Sequence, residues 1–171
     1  YRSMGKSDLA IEFLKNAIEI DSASHNKQSM ADSYNNIGNV YLMESKFEEA
    51  QKYYLKSLEV KREIGNILGI ATVLGNLASL HNEIAYEQED NQQIVKINSQ
   101  KAIEYGLEGL KTVIELKSIA EQNNIASHLM TAYKRIGNIE KSLEFAEMFI
   151  KTKEHMFNED KINALTEMET K

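Results

Sequence analysis

The chain has 171 residues, 42% hydrophobic and 27% charged, which suits one sizeable domain or an array of small repeats and excludes a disordered segment. Lysine and arginine total 20 against 26 aspartates and glutamates, and the resulting net charge of −6 argues against a nucleic-acid footprint. Without cysteine there are no disulfides or thiolate metal sites, without proline helices can run uninterrupted, and no apolar stretch approaches membrane-span length.

Apolar residues at helical period predict helices near 7–21, 28–44, 47–64, 68–86, 94–117, 122–136 and 139–157, then a last helix to the end. In the first, Leu9, Phe13, Leu14 and Ala17 form the stripe. The second carries Ile37-Gly38 and Tyr41, with Tyr34 one turn earlier; the third carries Ala50 and Tyr54. These landmarks recur. Tyr1, Tyr41 and His81 are 40 residues apart, as are Ala10 and Ala50, and Ala102 and Ser142, whereas Ala50 and Ala102 are 52 apart. The third copy therefore holds a 12-residue insertion around "AYEQEDNQQIVKIN", near 85–97. The last copy has Leu129, Tyr133 and Gly137 as landmarks, and Met130 where a small residue is expected. Gly38, Gly75, Gly106 and Gly109 fall inside helices, where they read as close helix contacts. Gly5 and Gly137 read as residues that close a helix, Gly65 precedes one, and Gly69 opens one.

The pattern Ile-Gly-x-x-Tyr followed by Ala-x-x-x-Tyr resembles the tetratricopeptide repeat family in its longer, roughly 40-residue form. The resemblance implies an all-α fold, a right-handed superhelix (an α-α solenoid) of about four helix-turn-helix repeats. These are a partial first at about 1–30, then 31–70, 71–122 with the insertion, and 123–157, with a connector or capping helix at 158–171.

No catalytic pattern emerges. His25, His81, His128 and His155 are scattered without ligand spacing, and His81 occupies a tyrosine slot, so it reads as a packed side chain. Glu48-Glu49 and Glu89-Asp90 read as solvated helix faces, and no phosphate loop or nucleophile elbow is present. The chain is expected to be no enzyme and to need no cofactor or metal.

In the family, the first helix of each repeat lines a concave groove, and the resemblance places a peptide-binding site there. Its candidate residues are Asn35, Asn36, Asn39, Met43, Asn76, Ser79, Glu83, Thr131, Lys134 and Arg135. A carboxamide offers a donor and an acceptor to a peptide group without selecting side chains, so Asn36, Asn39 and Asn76 suit the backbone of a protein or peptide ligand. The same asparagines could instead bond between helices. The lysine slots of chaperone-binding relatives hold Asn35 and Asn124 and the arginine slot holds His128, which argues against a carboxylate clamp. The tail, with apolar positions Ile162, Leu165 and Met168, resembles the exit from the repeat-built sensor region of Bacteroidetes-type bacterial signalling proteins. There a connector helix leads to a histidine kinase or a helix-turn-helix regulator. The expected function is the input region of a bacterial two-component sensor or transcriptional regulator, with a dimer contact through the C-terminal helix. An assembly scaffold and a peptide-pheromone-type receptor are the alternatives. The chain opens in mid-pattern, as an excised fragment would, and its composition suits cytoplasm or periplasm alike.

Overall fold

The computed structural model describes residues 4–169, with side chains described for 6–163. Seven helices follow in order: α1 (Met4–Ala23), α2 (Lys27–Met43), α3 (Phe47–Glu63), α4 (Ile67–Glu87), α5 (Gln92–Leu116), α6 (Ile119–Arg135) and α7 (Ile139–Glu169). No strand occurs among the described residues.

The turns explain the helix boundaries. A residue with positive φ precedes α2, α4 and α6: His25 (57°), Gly65 (67°) and Lys117 (54°). Ser45 (55°) and Gly137 (78°) do the same between α2 and α3 and between α6 and α7. An asparagine then caps four helices: Asn26 accepts from the Ser29 amide, Asn66 from Gly69, Asn91 from Ile94 and Asn138 from Lys141. Each cap satisfies an amide that the helix start would leave open.

The pairs α2–α3, α4–α5 and α6–α7 are hairpins, α1 packs on α2, and each hairpin packs on the next. The leading helices also touch, α2 with α4 and α4 with α6. The result is an α-α solenoid, in which contacts are made between neighbouring repeats. One apolar cluster joins Ala50, Tyr54 and Leu58 of α3 to Val73, Leu74, Leu77 and Leu80 of α4. A second gathers Ala102, Ile103, Leu110 and Val113 of α5 with Ile125, Leu129 and Ala132 of α6 and Phe145 of α7.

Gly38 is small because the fully buried Tyr54 ring lies on it: a Cβ there would sit 2.6 Å from two ring carbons. Each complete repeat also pairs an aromatic ring of its leading helix with one of its second helix. The pairs are Tyr41–Tyr53 (5.6 Å between centroids), His81–Tyr105 (5.6 Å) and Tyr133–Phe145 (5.5 Å). All three occupy one register position, and the last two are stacked within 8° and 9°.

Three expectations need revision or lie out of view. Gly5, expected to close a helix, stands in the first turn of α1. The last helix, expected to start near 158, is not set off by a break: α7 continues unbroken from Ile139 to Glu169. Tyr1 and the side chains of Leu165 and Met168 lie outside the described residues. The insertion forms little loop. It lengthens α4 to 21 residues and α5 to 25, against 17 for α2 and α3, so the hairpin projects as a spur.

Candidate functional site

The leading helices α2, α4 and α6 touch in sequence and between them carry all ten candidate residues. Asn36, Met43, Glu83 and Lys134 are exposed, while Asn35, Asn39, Asn76, Ser79, Thr131 and Arg135 are partly buried.

Several of these side chains hold the array together. Asn76 Nδ2 of α4 donates to Asn35 Oδ1 of α2 at 2.8 Å, a bond between repeats. Asn39 Oδ1 accepts from the Tyr54 hydroxyl at 2.8 Å, within the second repeat. Thr131 turns its hydroxyl onto the Ser127 carbonyl of its own helix, 2.9 Å away. Arg135 Nη1 donates to the Asn82 carbonyl at 2.7 Å and its Oδ1 at 3.2 Å, and Asn82 Nδ2 donates to the His128 carbonyl at 3.0 Å. The Arg135 guanidinium also lies 6.0 Å from the Tyr86 ring centroid. Asn39 and Asn76 are thus engaged within the protein, and Asn36 is the exposed member of the trio.

At the other end of this face is a polar cleft of about 210 Å³, lined by Asp32, Asn35, Lys61, Gly69 and Thr72 among others. Lys61, from the last turn of α3, is buried and ion-paired with the half-exposed Asp32. Its stem lies over Gly69, where a Cβ would fall 2.8 Å from Lys61 Cδ, so glycine makes room for the buried lysine. Asn66 donates to Gln28 at 2.7 Å and Gln28 to Asp32 at 2.8 Å, completing a relay around the carboxylate. Sequence reasoning missed Lys61, because a lysine in a last helical turn normally reads as a solvated charge favoured by the helix dipole.

His81 is buried, stacked on Tyr105, with Nδ1 2.8 Å from Asn98 Oδ1. Its Nε2 has no hydrogen-bonding partner among the described residues, and burial pushes its pKa down. Burial also lowers the pKa of His128. Among the described residues, no cluster of three or more His, Cys, Asp or Glu side chains is placed to hold a metal ion. None of the described helices is long and apolar enough to cross a membrane.

Comparison with solved structures finds similarity to the crystal structure of BtubC (BKLC) from P. vanneervenii, with a TM-score of 0.62 and 20% identity. The alignment covers 91% of this chain and 60% of that one, so this chain spans less than two thirds of the relative's length. At this identity the likeness speaks for the fold. A search of curated proteins finds no match. The family description "Tetratricopeptide repeat" matches residues 1–63 and again 29–88, two overlapping registers that together take in half of the chain. The chain belongs to the tetratricopeptide repeat family, whose arrays are protein-interaction modules.

Proposed function

We propose that the chain is a non-catalytic module that binds an extended peptide segment of a partner protein along its leading-helix face. The observation that carries this reading is the chemistry of that face. Asn36 is an exposed carboxamide, the Asn35–Asn76 bond engages one oxygen and one nitrogen, and Met43 offers an adaptable apolar contact. The leading helices carry Asp32 and Glu83 as well as Lys134 and Arg135, so a partner of mixed charge fits better than a polyanion. Such a face grips a peptide backbone by hydrogen bonds and leaves modest side-chain selectivity.

The array would serve as the input region of a bacterial signalling protein, a sensor kinase or transcriptional regulator. The support for this finer reading is α7, which runs as one helix well past the last repeat's packing. A peptide library displayed against the fragment tests the binding reading. Asn36→Ala and Glu83→Ala should each weaken captured peptides while leaving melting unchanged. Captured peptides indifferent to both changes would move the site off this face.

A further inference from the structure

Lys61 is out of keeping with its place in the array. It is 4% exposed in the last turn of α3, at the register position that the fully buried Val113 fills in α5. A buried ion pair is a weak source of stability, and well-packed apolar side chains can often replace one at little cost. Val113 shows that this fold accepts an apolar side chain there, so the repeat does not need a lysine to close. The chain nonetheless builds around it. Gly69 stands where a Cβ would fall 2.8 Å from Lys61 Nζ, whereas the counterpart of Gly69 near Val113 is Glu121.

The cleft beside Lys61 holds about 210 Å³, less than the roughly 300–1,000 Å³ of sites that enclose whole small molecules, and suits a single side chain. It offers both donors and acceptors. An ammonium has three N–H groups, and the bond to Asp32 uses one of those on Lys61. Asn35 accepts from Asn76 through Oδ1, and its Nδ2 makes no bond among the described residues. The Asp32 carboxylate accepts one bond from Lys61 and one from Gln28, out of about four that it can take. Thr72 donates its hydroxyl proton to the Leu68 carbonyl at 3.1 Å and keeps its oxygen lone pairs. The Lys61–Asp32 pair is neutral as a whole, so a charged guest would leave one sign unbalanced. An apolar guest would strand the donors without partners.

We propose that this cleft is a side-chain subsite for a carboxamide, the head group of an asparagine or glutamine in a bound peptide. The inference rests on the peptide-binding reading of the leading-helix face. The guest's carbonyl accepts from Lys61 Nζ and Asn35 Nδ2, and its amide nitrogen donates to Asp32 and Thr72. A face that grips backbone with modest selectivity thereby gains one position that reads side-chain chemistry.

A random displayed peptide library selected on the chain should enrich Asn or Gln several-fold at one position of the captured peptides. Thr72→Tyr, which fills the cleft from its rim, and Lys61→Met, which follows Val113, should each abolish that enrichment. Asp32→Asn should move the preference several-fold toward Asp or Glu, because it leaves the Lys61 charge unbalanced. Circular dichroism and melting establish that each variant is folded; if Asp32→Asn does not fold, the other two carry the test. Peptides that weaken on Asn36→Ala but show no Asn or Gln preference would overturn this inference alone. A preference that survives both Thr72→Tyr and Lys61→Met would overturn it too. A single-residue probe separates the two readings from the other side. Acetylglutamine methylamide should shift the amide NMR signals of Gly69 and Thr72, and acetylglutamate methylamide should shift them several-fold less. Such shifts without any captured peptide would overturn the extended-peptide reading and keep the carboxamide cleft. No shift at either amide would overturn the cleft.

Discussion

Tyr54 buries its whole ring against Gly38 while its hydroxyl donates to Asn39, so three residues define the crossing of α2 and α3. Ring and hydroxyl are both held, and the ring cannot swing aside for an added methyl group. Gly38→Ala gains about 1 kcal/mol of helix propensity. Overpacking costs about 1–3 kcal/mol, and a ring fixed at both ends places this site at the upper end. Gly38→Ala should therefore lower the urea midpoint, and Gly38→Leu should lower it further. Asn39→Ala would strand the Tyr54 hydroxyl, a loss of about 1–3 kcal/mol. Adding Tyr54→Phe should recover much of it, which a double-mutant cycle in urea measures. His81 and His128 make stability depend on pH. Burial lowers both folded-state pKa values below the ordinary 6.5, so the unfolded chain binds protons first as pH falls. Their contribution is complete above about pH 6.5 and declines as pH drops toward the folded values. Melting temperature should fall between about pH 7 and 5, and His81→Phe, which keeps the stack on Tyr105, should flatten part of that fall.

At the level of helices and turns, much was legible because the register is redundant. Six of the anticipated helices form with boundaries within a few residues, and the seventh starts where expected but runs on to Glu169, since amphipathic period, caps and turn residues mark the same places elsewhere. The insertion was legible in length. That it continues two helices follows from buried Ala85 and Val95 and from the Asn98 bond to His81, which give the added turns something to pack on. Ala85 and Asn98 occupy the positions of Ser45 and Lys46 at the α2–α3 turn. Deleting residues 86–97 together with Ala85→Gly should thus restore a short turn and leave a helical, cooperatively melting array. Loss of cooperative melting would make the spur part of the core. The unbroken α7 was not legible, because the register marks a turn at Phe157 that the helix runs through. Nor were the assignments of the asparagines. The Asn35–Asn76 bond spans two repeats, and its existence depends on how one repeat is rotated against the next, which no single helix pattern encodes.

Across the whole molecule, repeats contact their neighbours, so stability is distributed along the array and the ends depend on one neighbour each. Ion pairs such as Lys27–Glu63 and Arg62–Glu108 bridge elements on the surface, but both partners are about half exposed. Pairs of that kind contribute about 0–1 kcal/mol each. Raising salt to about 0.5 M should hence change melting little, because the apolar clusters carry the fold. The leading-helix face mixes both signs of charge, and a bound peptide should likewise respond weakly to salt; a steep dependence would point to a polyanionic partner instead. One dimension of α7 matters for what a ligand could transmit. From Met156 to Glu169 the helix extends past the counterpart of the α3 end by fourteen residues, about 21 Å at 1.5 Å per residue. A helix of that length is a lever whose fulcrum is the last hairpin. A tilt of about 10° at the α6–α7 contact, small enough for side chains to absorb, would sweep the tip through about 4 Å. An adjustment among Arg135, Asn82 and His128 would thereby become a displacement of several ångströms at the helix tip.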